Sequence, residues 1–357
     1  MADNGYAESL DEETFRNELE NQSGNEEVDV QQNKDGSFIV TVNNRRYYVN
    51  DDKTVIDNDN IVEISSEEEL ETFRDNVNSG NSYEGKVVLL TNDIILDSNV
   101  EWDSIGIYQQ NSTNPDDEEN KPFKGIFDGC FHTISGMNTN ASLNDRGLFG
   151  LIKGATVKNV GIVDSNIQGT SRTGAIVGYA YQNSRIANCY NSSKINTTDN
   201  FVGGIAGYIN KQTIIENCYN IGNITSTASV EGIVGGIGNS TVRNCYNAGE
   251  IEGKQVGGIS FAVNGSALIE NCYNAGILTA NGDDTIVLSI NCSENASEEV
   301  IFKNNYYLEN TVNGKNDIYP HEECKVKSSE EMKKLYEALG NSYKEGKNDG
   351  YPILFWQ

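Results

Sequence analysis

The chain has little positive charge, almost no histidine and no long hydrophobic run. Its 357 residues carry 26 lysines and arginines against 53 aspartates and glutamates, a formal net charge of −27. A field of that sign repels phosphates and anionic lipid surfaces, which excludes nucleic acid as a partner. No apolar stretch approaches the roughly 18 residues a spanning helix needs, so the chain as given is not expected to insert into a membrane. The two histidines, His132 and His321, stand in no Ser-His-Asp or Cys-His pattern. His132 reads as a structural histidine in a turn, with Asp128 as the turn-capping acceptor. His321 lies near Cys324, too small a pair for a metal site. The acidic loops holding Asp116, Asp117, Glu118 and Glu119, or Asp283 and Asp284, lack the ordered ligand spacing of a calcium loop. No catalytic residue, cofactor or metal is therefore expected.

What is present is a repeat. Asn-Cys-Tyr-Asn occurs four times, centred on Cys189, Cys218, Cys245 and Cys272, at intervals of 29, 27 and 27 residues. Self-similarity at this period marks a solenoid, whose units bury a core only by stacking on one another. Three strand positions recur in each unit. The first holds runs such as Gly147-Leu148-Phe149-Gly150 and Gly204-Ile205-Ala206-Gly207. The second holds Val157, Ile186, Ile215, Val242 and Ile269, and the third Ile167, Ile195, Ile224, Ile251 and Leu278. Three positions in about 28 residues give an all-β, three-sided parallel β-helix. Like residues of successive coils then stack about 4.8 Å apart. Side chains alternate faces along a strand, so cysteine and tyrosine of each Asn-Cys-Tyr-Asn must point opposite ways. The cysteines read as a packed column of thiols. The asparagines at 159, 188, 217, 244 and 271 should hydrogen-bond one another from coil to coil.

Around this array, residues 1–36 are acidic and expected to be loosely ordered, apart from a short amphipathic helix carrying Leu10, Phe15 and Leu19. Residues 37–60 should form a small hairpin turning at Asn43 and Asn44, and residues 61–357 the β-helix. A solenoid must cover its two open ends. Ser65 and Ser66 ahead of Glu67, Glu68 and Glu69 open one capping helix over 65–79, and Ser328 and Ser329 ahead of Glu330 and Glu331 open another over 328–340. The apolar tail 351–356 should dock.

The stretch Pro122-Phe123-Lys124-Gly125-Ile126-Phe127-Asp128-Gly129, then His132-Thr133-Ile134-Ser135-Gly136 and Gly147-Leu148-Phe149-Gly150, resembles bacterial surface proteins with GLUG repeats. These repeats also occur in IgA-protease-like and adhesin-like proteins, and the resemblance spans about residues 60–357. It implies a right-handed parallel β-helix displayed outside the cell as a module of an adhesin, with no catalytic residue to carry over. Residues 15–55 are also similar to the segment after the hydrophobic helix of some pilin-like Firmicute proteins. A surface location implies a leader or anchor other than the polar start at residues 1–4.

The expected function is an adhesin-like binding or spacer module, acting as a monomer on a glycan or a host or matrix protein. Stacked Tyr190, Tyr219, Tyr246 and Tyr273 form an aromatic strip suited to sugar rings or a protein surface. The loop 109–120 interrupts the period, which makes Asp116 and Asp117 further candidate ligand contacts. A carbohydrate-active enzyme on the same fold would need paired carboxylates from adjacent coils. The recurring acids Glu216 and Glu270 instead have Arg243 between them and read as a charge ladder on a solvated face. A pilin-like appendage subunit is the remaining alternative.

Overall fold

A computed structural model describes residues 28–42, 45–109, 112, 114–282, 286–290, 300–313 and 322–357. Residues 1–27, with the short helix expected there, lie outside these, as do the turn residues Asn43 and Asn44, Asp283, Asp284 and His321.

The body is a parallel β-solenoid. Successive coils pair in register, so that Val157, Ile186, Ile215, Val242 and Ile269 form one column and Ile167, Ile195, Ile224, Ile251 and Leu278 another. All ten side chains are fully buried. Each full coil contributes to five parallel ladders. Three are the positions legible in the repeat. The other two run through the tyrosines and through pairs such as Thr173–Gly174 and Val202–Gly203.

Asparagine makes the corner between the second ladder and the tyrosine ladder. Asn159, Asn188, Asn217, Asn244, Asn271 and Asn304 all have φ between 52° and 56°, a left-handed conformation that asparagine tolerates better than other residues with a Cβ. Their side chains link coils at the two ends of the column, Asn188 Nδ2 donating to Asn159 Oδ1 at 2.9 Å, Asn271 Nδ2 to Asn244 Oδ1 at 3.3 Å and Asn304 Nδ2 to Asn271 Oδ1 at 2.8 Å. In its middle, against expectation, Asn188 Oδ1 and Asn217 Oδ1 accept no hydrogen bond among the described residues. A second, fully buried ladder joins Asn191, Asn220, Asn247 and Asn274, each donating to the next at 2.8 Å. The same amides also donate to the carbonyl two residues on, so turn oxygens inside the rod are satisfied. Gly232 is required where it stands, because a Cβ would strike the Gly258 carbonyl of the next coil.

At the N-terminal end, α1 (Glu67–Asn78) begins at Ser66, whose hydroxyl accepts from the Glu69 N–H. Its buried Leu70, Phe73 and Val77 continue the solenoid core, with Phe73 packed on Tyr83, Phe123 and Phe127.

The segment before it differs from expectation. Val28–Gln32, placed by composition in a loosely ordered stretch, is strand β1 of an antiparallel meander with β2 (Phe38–Val42), β3 (Arg45–Val49) and β4 (Val55–Asp57). Alternating Val28, Val30, Phe38 and Val40 give this sheet an apolar cluster of its own. Tyr48 and Ile56 pack against Val87 and Leu89 of the solenoid. Tertiary contact orders what low hydrophobicity alone would leave loose.

The C-terminal helix is also corrected. It is two short pieces, α2 (Ser329–Lys333), opened by a Ser328/Glu331 capping box, and α3 (Tyr336–Leu339). Met332, Leu335 and Leu339 pack on the tyrosine ladder, a lateral wall of the rod. The aromatic strip offers them more apolar surface than water does.

Candidate functional site

The Asn-Cys-Tyr-Asn repeat divides as alternation requires. Cys189, Cys218, Cys245 and Cys272 form one fully buried column of free thiols. Burial pushes the Cys189 and Cys245 thiols up, away from reactivity. The tyrosines project the other way. Their rings stack at 5.0, 5.0 and 4.9 Å from Tyr190 through Tyr219 and Tyr246 to Tyr273, within 6° of parallel.

That strip is not an open platform, which corrects the expectation for three of its four members. Tyr219, Tyr246 and Tyr273 are buried beneath the chain's own C-terminal segment. Trp356 lies over Tyr219 at 5.6 Å and donates from Nε1 to the Asn217 carbonyl. The Tyr273 hydroxyl donates to the Pro352 carbonyl at 2.5 Å, and the Tyr246 hydroxyl meets the Gln357 amide. The reason is the strip's own composition, since a row of rings in water is best covered by the nearest apolar segment. Tyr190 alone remains half-buried, lining a cleft of about 290 Å³ with Lys34, Phe131 and Trp356.

The interrupting loop is held against the first ladder. Asp116 accepts from Lys153 Nζ at 2.5 Å and from the Tyr181 hydroxyl at 3.1 Å, and Lys211 Nζ is 3.8 Å away. The Lys153 hydrogen bond holds its carboxyl below the ordinary range. Asp117 accepts from Ser112 Oγ at 2.7 Å. Both predicted ligand contacts therefore fasten the loop, and the groove beside it is lined by other residues.

That groove encloses about 670 Å³ between the loop, α1 and the corner at residues 143–146, with Asn78, Asp103, Tyr108, Ser112, Asn144 and Arg146 in its wall. Arg172 forms its base. The guanidinium pairs with both oxygens of Asp145, at 2.5 and 2.8 Å, and lies against the rings of Tyr108 and Tyr179 at 4.9 and 5.6 Å. This stack fixes Tyr108, which stays part-exposed. Asp103 faces Arg146 at 3.9 Å. An aromatic face bordered by amides, a hydroxyl and paired charges suits a polar ligand with an apolar face. The loop singled out by its break in the period borders this groove, but the other lining residues come from separated segments without a shared motif and leave no signal in the sequence.

Elsewhere, His132 Nδ1 meets Asp93 at 3.3 Å, and the same carboxylate accepts from the Thr133 N–H, a turn-fastening role. Among the described residues no group of three or more His, Cys, Asp or Glu side chains is placed to hold a metal ion. The charge ladder is longer and drier than expected. Asp128, Lys158, Ala187, Glu216, Arg243, Glu270 and Lys303 occupy one column, and Glu216, bridged to Arg185 and Arg243 at 2.6 Å each, is buried.

Comparison with known proteins adds two findings. The family model of the GLUG motif matches residues 169–196, one coil of the solenoid. The chain is similar to the crystal structure of a "putative immunoglobulin A1 protease" from Bacteroides ovatus, at 22% identity and a TM-score of 0.62, over 83% of this chain and 92% of that one. That likeness establishes the shared solenoid fold. No curated protein matches the chain.

Proposed function

We propose that the protein is a surface-displayed, adhesin-like binding module whose groove beside the 109–120 loop receives a glycan. The observation that carries this reading is the Tyr108 face, held in place by Arg172 and bordered by Asn78, Ser112 and Asn144. A sugar ring stacks on such a face while its hydroxyls hydrogen-bond the rim. The GLUG motif and the acidic, elongated rod support display outside the cell.

A glycan and matrix-protein array probed with the full chain tests the reading. A glycan hit that Tyr108→Ala weakens by about tenfold, the equivalent of ~1.4 kcal/mol, is the expected result. A blank array, or a hit indifferent to Tyr108, removes the groove from consideration.

A second reading, a carbohydrate-active enzyme, is favoured by Asp103 and Asp145 lining the same groove. Asp145 is committed to Arg172, which argues for a structural carboxylate. Depolymerisation of a polysaccharide by the wild-type chain, lost in Asp103→Asn, would replace binding by catalysis.

A further inference from the structure

Lys158 is a lysine with no access to solvent. Its Nζ lies 2.6 Å from Asp35 Oδ2, 3.1 Å from Asp51 Oδ1 and 3.7 Å from Asp128 Oδ2. The side chains of Asp35 and Asp128 are 2% and 0% exposed. Asp35 sits in the turn between β1 and β2, 123 residues from Lys158, so the contact joins the N-terminal sheet to the solenoid wall. We propose that Lys158 and Asp35 are joined by an intramolecular isopeptide bond.

The surroundings supply what the condensation needs. Asp35 Oδ1 accepts from the Ser37 N–H at 3.1 Å and the Ser37 hydroxyl at 2.7 Å, and Oδ2 accepts from Asn159 Nδ2 at 2.8 Å. These donors draw charge from Cγ and stabilise the oxygen as Nζ adds to it. The amine and carboxyl are held at near-attack separation by the fold, which replaces a bimolecular encounter. Asp128 is the acid–base group facing Nζ. Its oxygens accept from the Tyr48 hydroxyl at 2.7 Å, Asn159 Nδ2 at 2.9 Å and the Cys130 N–H at 2.9 Å, and burial holds its carboxyl above the ordinary range.

The step balances without a cofactor or an oxidant. The Nζ–Cγ bond forms and one Cγ–O bond breaks. Two protons of the Lys158 ammonium leave with that oxygen as water, Asp128 relaying them. The product is a neutral amide in place of a buried ammonium and carboxylate, which removes the desolvation cost of both ions. Asp51 is the poorer partner, being part-exposed and shared with Arg185 at 2.8 Å. Asp128 is farther away.

Mass spectrometry of the purified, denatured full chain decides the matter on the wild-type protein alone. The expected intact mass is one water below that of the sequence. A tryptic map should lack cleavage at Lys158 and contain a branched peptide joining the Asp35 and Lys158 segments. Asp35→Ala and Lys158→Arg should restore the full mass, and Asp128→Asn should slow or block the loss. A wild-type mass equal to that of the sequence, with linear peptides at both positions, reduces the contact to an ion pair and overturns the proposal. So does a water loss mapped to any other site.

Discussion

Glu231 shows how far a single residue departs from its column. It occupies the ladder position held by Gly174, Gly203 and Gly257 in other coils. It is fully buried, and among the described residues neither carboxylate oxygen makes a hydrogen bond of ordinary geometry. Burial pushes its carboxyl well above the usual range, offset only by the Val202 N–H. The folded state therefore holds a proton that the unfolded state releases. Stability is full below the unfolded-state value and declines as pH rises through the window up to the folded one, by about 1.4 kcal/mol per unit. Glu231→Gln, uncharged at every pH, should abolish this slope, so that urea midpoints of wild type and variant diverge as pH rises above the ordinary carboxyl range. Parallel midpoints would mean that the carboxylate finds a partner. Asn191, Asn220, Asn247 and Asn274 illustrate the opposite outcome, since each amide in their buried ladder donates to the next coil or its own turn.

Among the elements, the C-terminal segment is the one with a consequence for function. Trp356 is 8% exposed and touches Phe131, Tyr190 and Tyr219, so it closes the strip at the end where Tyr190 emerges. Trp356→Ala should cost about 3 kcal/mol, by loss of burial and the cavity left behind. It should also raise binding of a hydrophobic dye as Tyr219 and Tyr246 become accessible. An unchanged melting temperature would mean that the segment rests on the strip without stabilising it. The glycan reading rests on a groove that shares no lining residue with the cleft at Trp356, so ligand binding by this variant should match wild type.

At the level of the whole molecule, a solenoid exposes sheet edges at its ends, and those edges are where self-association starts. The nine-stranded second ladder terminates at Ile61–Ile64, and α1 lies beside that edge with Phe73 in the core. Phe73→Ala should destabilise by about 3–5 kcal/mol and loosen the plug. Sedimentation velocity should then show stronger concentration-dependent association than the wild-type chain shows under the same conditions. A destabilised variant that stays monomeric would place protection of the edge in the N-terminal sheet, which packs on the same end through Tyr48 and Ile56.

The repeat by itself determined the rod, its columns and its corners. In a solenoid the contact partner of a residue is the same residue one coil later, so spatial neighbours are written as periodicity, and the cysteine column, the asparagine corner and the opposite facing of cysteine and tyrosine were all legible there. The interruption at 109–120 likewise marked the loop beside the groove. Tertiary structure alone decided which surfaces stay open. The tail hides the tyrosines, Asp116 spends its charge on Lys153, residues 28–32 gain order from a sheet, and Asp35 reaches Lys158 across 123 residues. Each of these contacts joins two unlike segments once. A contact made once leaves no period, so its partner becomes visible only when the folded chain brings the two surfaces together.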